Sequence, residues 1–303
     1  MVWSWPKYFN SLKALSYVSL RLDANVDLTA LDLTAFSVKG LNVVSGVIYI
    51  GDRYAGKTHL ALELTNPNTK YVAVTNQNYT TLKSILVSEE ERVEKTRPTD
   101  ANVALIERYL DINVQLPSGE KRLSVDWIDT PGEIWRQTWQ ADNPEEWQQF
   151  LDGARTSEGI LLVLAPYREA LDPRAVEACL DSPENYVTQK QWMVRFKRWV
   201  DFFNRECANA KHLVICLNKV DLLRGFNLGK ESEKLSFDPY FSRLNWHQRH
   251  AHVCREYLGC IQKDLIEINR HRSGVSIHCA VTTIKDRGLL EIPWIYLATF
   301  LTV

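Results

Sequence analysis

Three clusters of residues have the types and spacing to handle a nucleotide. The first is Gly51-Asp52-Arg53-Tyr54-Ala55-Gly56-Lys57-Thr58, which fills the pattern G-x-x-x-x-G-K-[ST]. It follows the apolar run Val47 to Ile50 and precedes a helix-like run, His59 to Leu64. In that setting the loop's backbone N–H groups can wrap phosphate oxygens, with glycines where a side chain would block the approach. The helix that follows aims the positive end of its dipole at the same anion. Lys57 would reach the β- and γ-phosphates, and the Thr58 hydroxyl would ligate Mg²⁺.

The second cluster is Asp129-Thr130-Pro131-Gly132, directly after Val125, Trp127 and Ile128. A carboxylate at the end of a strand beside a phosphate loop is placed to hold Mg²⁺, and Gly132 offers an unobstructed N–H to the γ-phosphate. The third is Asn218-Lys219-Val220-Asp221, after the apolar run His212 to Leu217. A guanine edge carries N1–H and N2–H₂ donors, and one carboxylate, Asp221, can accept both where adenine has no such pair. Asn218 can bridge the base region to the phosphate loop, and the Lys219 stem can cover the ring face.

These clusters need strands to carry them, and the hydrophobic pattern supplies candidates. Ile106, Leu110, Ile112, Val114 and Leu116 share one parity, with polar residues on the other, as a half-buried strand demands. Pro117-Ser118-Gly119-Glu120 reads as a turn, and Leu123 to Ile128 as the returning strand. Buried strands are expected at Gly159 to Leu164, His212 to Leu217 and Val275 to Cys279. Trp192, Phe196, Trp199, Val200 and Phe203 fall at helical spacing, with Lys190, Arg195, Lys197 and Arg198 around the rest of the axis. Strands alternating with helices, with one hairpin among them, predict an α/β sheet.

Composition narrows the function classes. The chain has 303 residues, 36 basic against 37 acidic side chains, and 45% hydrophobic residues, the balance of an ordinary globular protein. A net charge of -1 gives no electrostatic reason for nucleic acid or anionic lipid as a partner. Six scattered cysteines without a C-x-x-C pair argue against a disulfide framework and for reduced thiols in a cytoplasmic protein. Met1 to Leu20 shows no signal peptide. The longest apolar runs, Gly159 to Pro166 and Ile292 to Phe300, fall short of the roughly 20 residues of a membrane span. Residues 1–45 read as an extension packing on a main domain of residues 46–303.

The three motifs in this order, with a hairpin between the first and second, resemble the Ras-like GTPases of the translation-factor-related class. The resemblance covers about residues 46–303. It implies a P-loop NTPase fold: a six-stranded, mostly parallel sheet with one antiparallel hairpin strand and helices on both faces. It also implies GTP and GDP as ligands, Mg²⁺ as cofactor, hydrolysis of GTP, and a protein partner that reads the switch regions. The base loop after the last strand, Ser-Ala-Lys in the family, stands here as Cys279-Ala280-Val281, with the Ala280 N–H on the guanine oxygen. The switch threonine over Mg²⁺ is Thr99, with Thr96 as runner-up. Intervals longer than in a minimal small GTPase place insertions near 82–97, 166–191 and 222–268.

The chain also departs from the family. Glu133 stands where Ras-like proteins carry the glutamine that orients the attacking water, and a carboxylate there adds negative charge near the γ-phosphate. Arg53 fills a position that is glycine in Ras itself, and Tyr54 stands where potassium-activated relatives carry asparagine. Slow intrinsic turnover, accelerated by a partner, is the expectation; a nucleotide-holding scaffold and a P-loop ATPase are the alternatives. Trp135, Trp139 and Trp147 follow the second motif, either as a surface sensing nucleotide state or as packing beneath a helix. His247, His250 and Cys254 share one face if their segment is helical, but lack an evident fourth metal ligand, so a surface helix with incidental histidines is the better reading. Leu289 to Val303 reads as the last helix over the sheet.

Overall fold

The computed structural model describes residues 46–52, 54–90, 93–96, 106–129, 134–179, 181–240, 243–271 and 274–301. The chain divides into two units, Met1–Leu41 and Asn42–Val303. The first unit, and with it the whole expected N-terminal extension of residues 1–45, lies outside the described residues.

Every residue of β1 (Val47–Gly51) is buried, because both faces of its sheet are covered. Val47 and Tyr49 point into one apolar layer with Leu161, Val163, Val214 and Ala280. Ile48 and Ile50 point into the other with Ile160, Leu162, Leu164 and Ile215. After β1 come α1 (Lys57–Leu64), β2 (Val72–Val74), α2 (Tyr79–Leu86) and a small antiparallel pair, β3 (Val87–Glu90) with β4 (Val93–Thr96). Then follow the hairpin β5 (Ile106–Leu116) and β6 (Gly119–Asp129), the short α3 (Gln137–Asp142), α4 (Pro144–Thr156) and β7 (Gly159–Leu164). The remainder is α5 (Pro173–Ala178), α6 (Gln189–Glu206), β8 (His212–Leu217), α7 (Leu228–Leu235), α8 (Trp246–Tyr257), α9 (Gln262–His271), β9 (Ser276–Val281) and α10 (Arg287–Leu301).

The sheet order is β2-β5-β6-β1-β7-β8-β9. Among the described residues it therefore has seven strands where six were expected. The added one is β2, three residues at the edge, antiparallel to β5. Only β5 runs against the rest, so the single reversed hairpin strand stands. The extra edge is pinned from α10. Glu291, 0% exposed, accepts from the backbone N–H groups of Lys70 and Tyr71 at 3.0 and 2.8 Å. Arg287 pairs with Glu291 at 2.6 Å and donates to the carbonyls of Glu63, Leu64 and Val72.

α6 begins with a capping box between Thr188 and Gln191 and buries Trp192, Phe196, Trp199, Val200 and Phe203. Lys190, Arg195, Lys197 and Arg198 are exposed. α10 buries most of its length, including Leu289, Ile295 and Leu297, against the sheet. Among the described residues no helix is long and apolar enough to cross a membrane.

Candidate functional site

Strand order reverses at β1, with β6 on one side and β7 on the other, all three parallel. A crevice opens at the carboxyl ends of the strands around such a point, and ligands of α/β sheets bind there. The segments after β1, β8 and β9 all lie on this edge.

The loop after β1 is held close to its neighbour. A Cβ on Gly51 would stand 2.2 Å from the carbonyl oxygen of Val163 in β7, so only glycine fits. Tyr54 and Gly56 have φ of 63° and 81°, which turn the backbone into α1. This strand, loop and helix, on this sheet, form a P-loop NTPase fold. Lys57 is 5% exposed and donates from Nζ to the carbonyls of Gly51 and Asp52 at 3.0 and 3.2 Å. The ammonium is thus folded over the loop it would share with phosphate. The Tyr49 hydroxyl donates to the Lys57 carbonyl at 3.0 Å and fixes the first turn of α1. Thr58, the next residue of α1, is half-buried.

Asn218 ties this loop to the third motif. It is 2% exposed, its Nδ2 donates to the Ala55 carbonyl at 2.7 Å, and its Oδ1 accepts from the Thr282 hydroxyl at 3.3 Å. One side chain therefore joins the P-loop, the end of β8 and the end of β9, bridging residues 163 positions apart. Lys219 takes a left-handed φ of 57°, which turns its stem across Gly56: a Cβ at Gly56 would lie 3.5 Å from Lys219 Cε. Its Nζ reaches the Tyr186 hydroxyl at 3.1 Å and Asp181 Oδ2 at 3.6 Å. Burial pulls the Lys219 pKa down, against the opposing pull of the Asp181 carboxylate.

Asp221 accepts from the Thr283 hydroxyl at 2.6 Å and pairs with Lys285 at 2.8 Å. These contacts correct the expectation for the base loop. Cys279, Ala280 and Val281 are not in a loop: they lie inside β9, paired with Ile215, Cys216 and Leu217, and Ala280 is 2% exposed. Its backbone lies within the β8–β9 ladder, opposite Cys216. The residues that surround Asp221 come later, at Thr283 and Lys285, with Ile284 between them 45% exposed. A hydroxyl pair followed by lysine, just past a buried strand, was the available signal in the sequence.

A second contact was not foreseen. Trp199 Nε1 on α6 donates to Asp52 Oδ1 at 2.9 Å. Burial raises the Asp52 pKa, opposed first by this hydrogen bond and then by the charges of Arg195, Lys57 and Arg198. Trp135 packs edge-on against Trp199, ring centroids 4.7 Å apart, and also meets Trp147, Phe150 and Phe202. Trp135 thus packs against α6, one ring removed from the P-loop, with Trp147 beyond it.

The backbone of Asp129 closes β6, the parallel neighbour of β1. Its carboxylate, together with Arg53, Thr99, Gly132 and Glu133, lies outside the described residues, as does the Thr96 side chain.

Of the histidine cluster, His247 is exposed and faces away. His250 and Cys254 come together with Cys279 of β9 instead, an association across the fold that helical spacing alone could not show.

No protein-family profile matches the sequence, and neither does any curated protein. Among solved structures, the chain is similar to a GTP-binding protein from the hyperthermophilic archaeon Sulfolobus solfataricus, solved in complex with GDP. The two share 12% identity over 84% of this chain and 52% of that one, with a TM-score of 0.42. It is also similar to a bacterial selenocysteine-specific elongation factor, at 14% identity over 85% of this chain and 28% of that one, TM-score 0.33. The chain spans about half the length of the archaeal protein.

Proposed function

We propose that this chain binds GTP and GDP in the crevice between the P-loop and Asp221, and hydrolyses GTP with Mg²⁺ as a slow molecular switch. The observation that carries this reading is the Asn218 hydrogen bond to Ala55, which couples a phosphate-binding loop to a base-binding loop at one edge of the sheet. Asp221 accepts the two donors of the guanine edge, and the ring lies along the Lys219 stem. The base loop is Thr283-Ile284-Lys285, and the Ile284 N–H meets the guanine oxygen.

At the other end the P-loop amides and the α1 dipole hold the phosphates, and Lys57 exchanges the Gly51 and Asp52 carbonyls for phosphate oxygens. Thr58 stands in the first turn of α1, after β1, and Asp129 ends β6, the parallel neighbour of β1; with Thr99 as the switch ligand, their side-chain oxygens would hold Mg²⁺, which takes that donor type. Held there, Mg²⁺ would supply positive charge against the negative charge that develops on the phosphates as the bond breaks. Water attacks the γ-phosphorus in line as the bond to the bridging oxygen breaks. Gly132 donates its N–H to the γ-phosphate, and Glu133 receives a hydrogen bond from the water at the cost of added negative charge. That charge, with Arg53 in the loop, is the reason turnover is slow without a partner.

Calorimetry with GTP and ATP, followed by overnight phosphate release with and without Mg²⁺, tests the proposal. GTP binding with slow, Mg²⁺-dependent release, lost in Lys57→Ala, is expected. GTP binding with no release favours the scaffold, and preference for ATP defeats the reading.

A further inference from the structure

His250 and Cys254 stand one turn apart on α8, and Cys279 faces them from β9. One nitrogen or sulfur atom from each lies within 4.8 Å of the others. The hydrogen bonds divide the roles. The Cys279 backbone N–H donates to His250 Nδ1 at 3.0 Å. That nitrogen is an acceptor, so the neutral ring carries its proton on Nε2; Cys254 Sγ lies 3.6 Å from Nε2 and 3.8 Å from Nδ1, beside the ring and not in line with Nε2–H. With Nδ1 taken by the Cys279 N–H and Nε2 protonated, the neutral ring has no lone pair free for a metal, so the arrangement favours thiol chemistry over a metal centre.

The two sulfurs differ in character. The Cys279 thiol donates to Cys254, and with His250 this holds the Cys254 thiol below its ordinary value, while the same contact and burial push Cys279 up. Access differs as well. Cys254 is 9% exposed and lines a cavity of about 250 Å³ with His250, Arg255 and Gln262, whereas Cys279 is fully buried behind it. A cysteine at a cavity wall with a second thiol within 4.8 Å behind it is the arrangement of an attacking and a resolving cysteine.

We propose that Cys254 reacts with hydroperoxides and that Cys279 resolves its oxidised form into a disulfide. The Cys254 sulfur attacks one peroxide oxygen, the O–O bond breaks, and hydroxide or alkoxide leaves and takes up a proton from water. The sulfur, oxidised by two electrons, is then a sulfenic acid. Cys279 loses its proton and attacks that sulfur; the S–S bond forms, the S–O bond breaks, and the oxygen leaves as water. The bridge fastens α8 to the strand that leads into Thr282 and Thr283, the residues holding Asn218 and Asp221. The oxidation itself does not depend on what the crevice binds.

The test uses the full chain, reduced, at neutral pH. Limited alkylation with peptide mass mapping should modify Cys254 before the exposed Cys179. Equimolar hydrogen peroxide should give a Cys254–Cys279 bridge. Cys279→Ser should leave a sulfenic acid on Cys254 that dimedone traps, Cys254→Ser should abolish both products, and His250→Phe should slow the reaction on the order of tenfold. Earlier alkylation of Cys179 or Cys260 in the unmutated protein, or peroxide treatment without the bridge, overturns the proposal. Equimolar zinc in the purified protein, lost in Cys254→Ser, overturns it in favour of a metal site.

Discussion

Gly56→Ala probes the joint between the two halves of the crevice without any nucleotide present. Residue 56 sits at φ 81°, a left-handed conformation that costs a residue bearing a Cβ about 1–2 kcal/mol. That Cβ would stand 2.7 Å from Asn218 Nδ2, the atom that donates to the Ala55 carbonyl. Moving the amide away leaves a buried donor and a buried carbonyl unsatisfied, at about 1–3 kcal/mol. The variant should therefore lose about 2–5 kcal/mol of unfolding free energy. Asn218→Ala removes the atom that the new methyl strikes, so in that background Gly56→Ala should cost only the backbone term, about 1–2 kcal/mol. Urea unfolding of the wild type, both single variants and the double variant, followed by tryptophan emission, yields the coupling energy. A value of about 1–3 kcal/mol is expected. Coupling within about 0.5 kcal/mol of zero would refute the reasoning, because Gly56 and Asn218 would then act independently.

Arg287→Ala leaves the fully buried Glu291 carboxylate without its cation and should cost about 3–5 kcal/mol in the same unfolding assay; a loss under about 1 kcal/mol would show that the pin on β2 carries no weight. Asp52→Asn keeps the acceptor for Trp199 and removes the charge. Because burial raises the Asp52 pKa, its contribution to stability is full below the unfolded value of 3.8 and falls as pH rises through the folded value. The variant's stability relative to wild type should therefore increase from pH 4 to pH 7, and a pH-independent difference would contradict the assigned shift. Trp135 lies one ring from the P-loop through Trp199 and Asp52, so emission should differ between GDP and a non-hydrolysable GTP analogue, and the difference should vanish in Trp135→Phe. Equal emission in both states would make the cluster structural packing alone.

Local patterns carried much of the fold. The alternation through Leu110, Ile112, Val114 and Leu116, and the apolar runs of β7 and β8, are set by burial along a strand, and burial leaves its period in the sequence. β2 left no such trace: three residues cannot show a period, and its place depends on Glu291 and Arg287, more than two hundred positions away. The segments read for phosphate and guanine could be picked out because each is contiguous in the chain. Cys279-Ala280-Val281 was read as a loop against a family pattern, but β9 continues to Val281 and carries those residues into the sheet. Trp199 with Asp52, and Cys279 with His250, are pairs made only by packing α6 and α8 on the strands, so neither spacing nor composition could announce them.

The central claim, that one crevice reads phosphate at Lys57 and guanine at Asp221, is tested most directly by titrating GTP, ATP and XTP into wild type and Asp221→Asn by calorimetry. Xanthine carries a carbonyl where guanine carries its amino group, so an amide at position 221 can pair with it and a carboxylate cannot. Wild type should bind GTP and neither of the others, and Asp221→Asn should lose GTP by at least roughly a hundredfold while gaining XTP. ATP binding as tightly as GTP to wild type, or GTP affinity unchanged in Asp221→Asn, would contradict it.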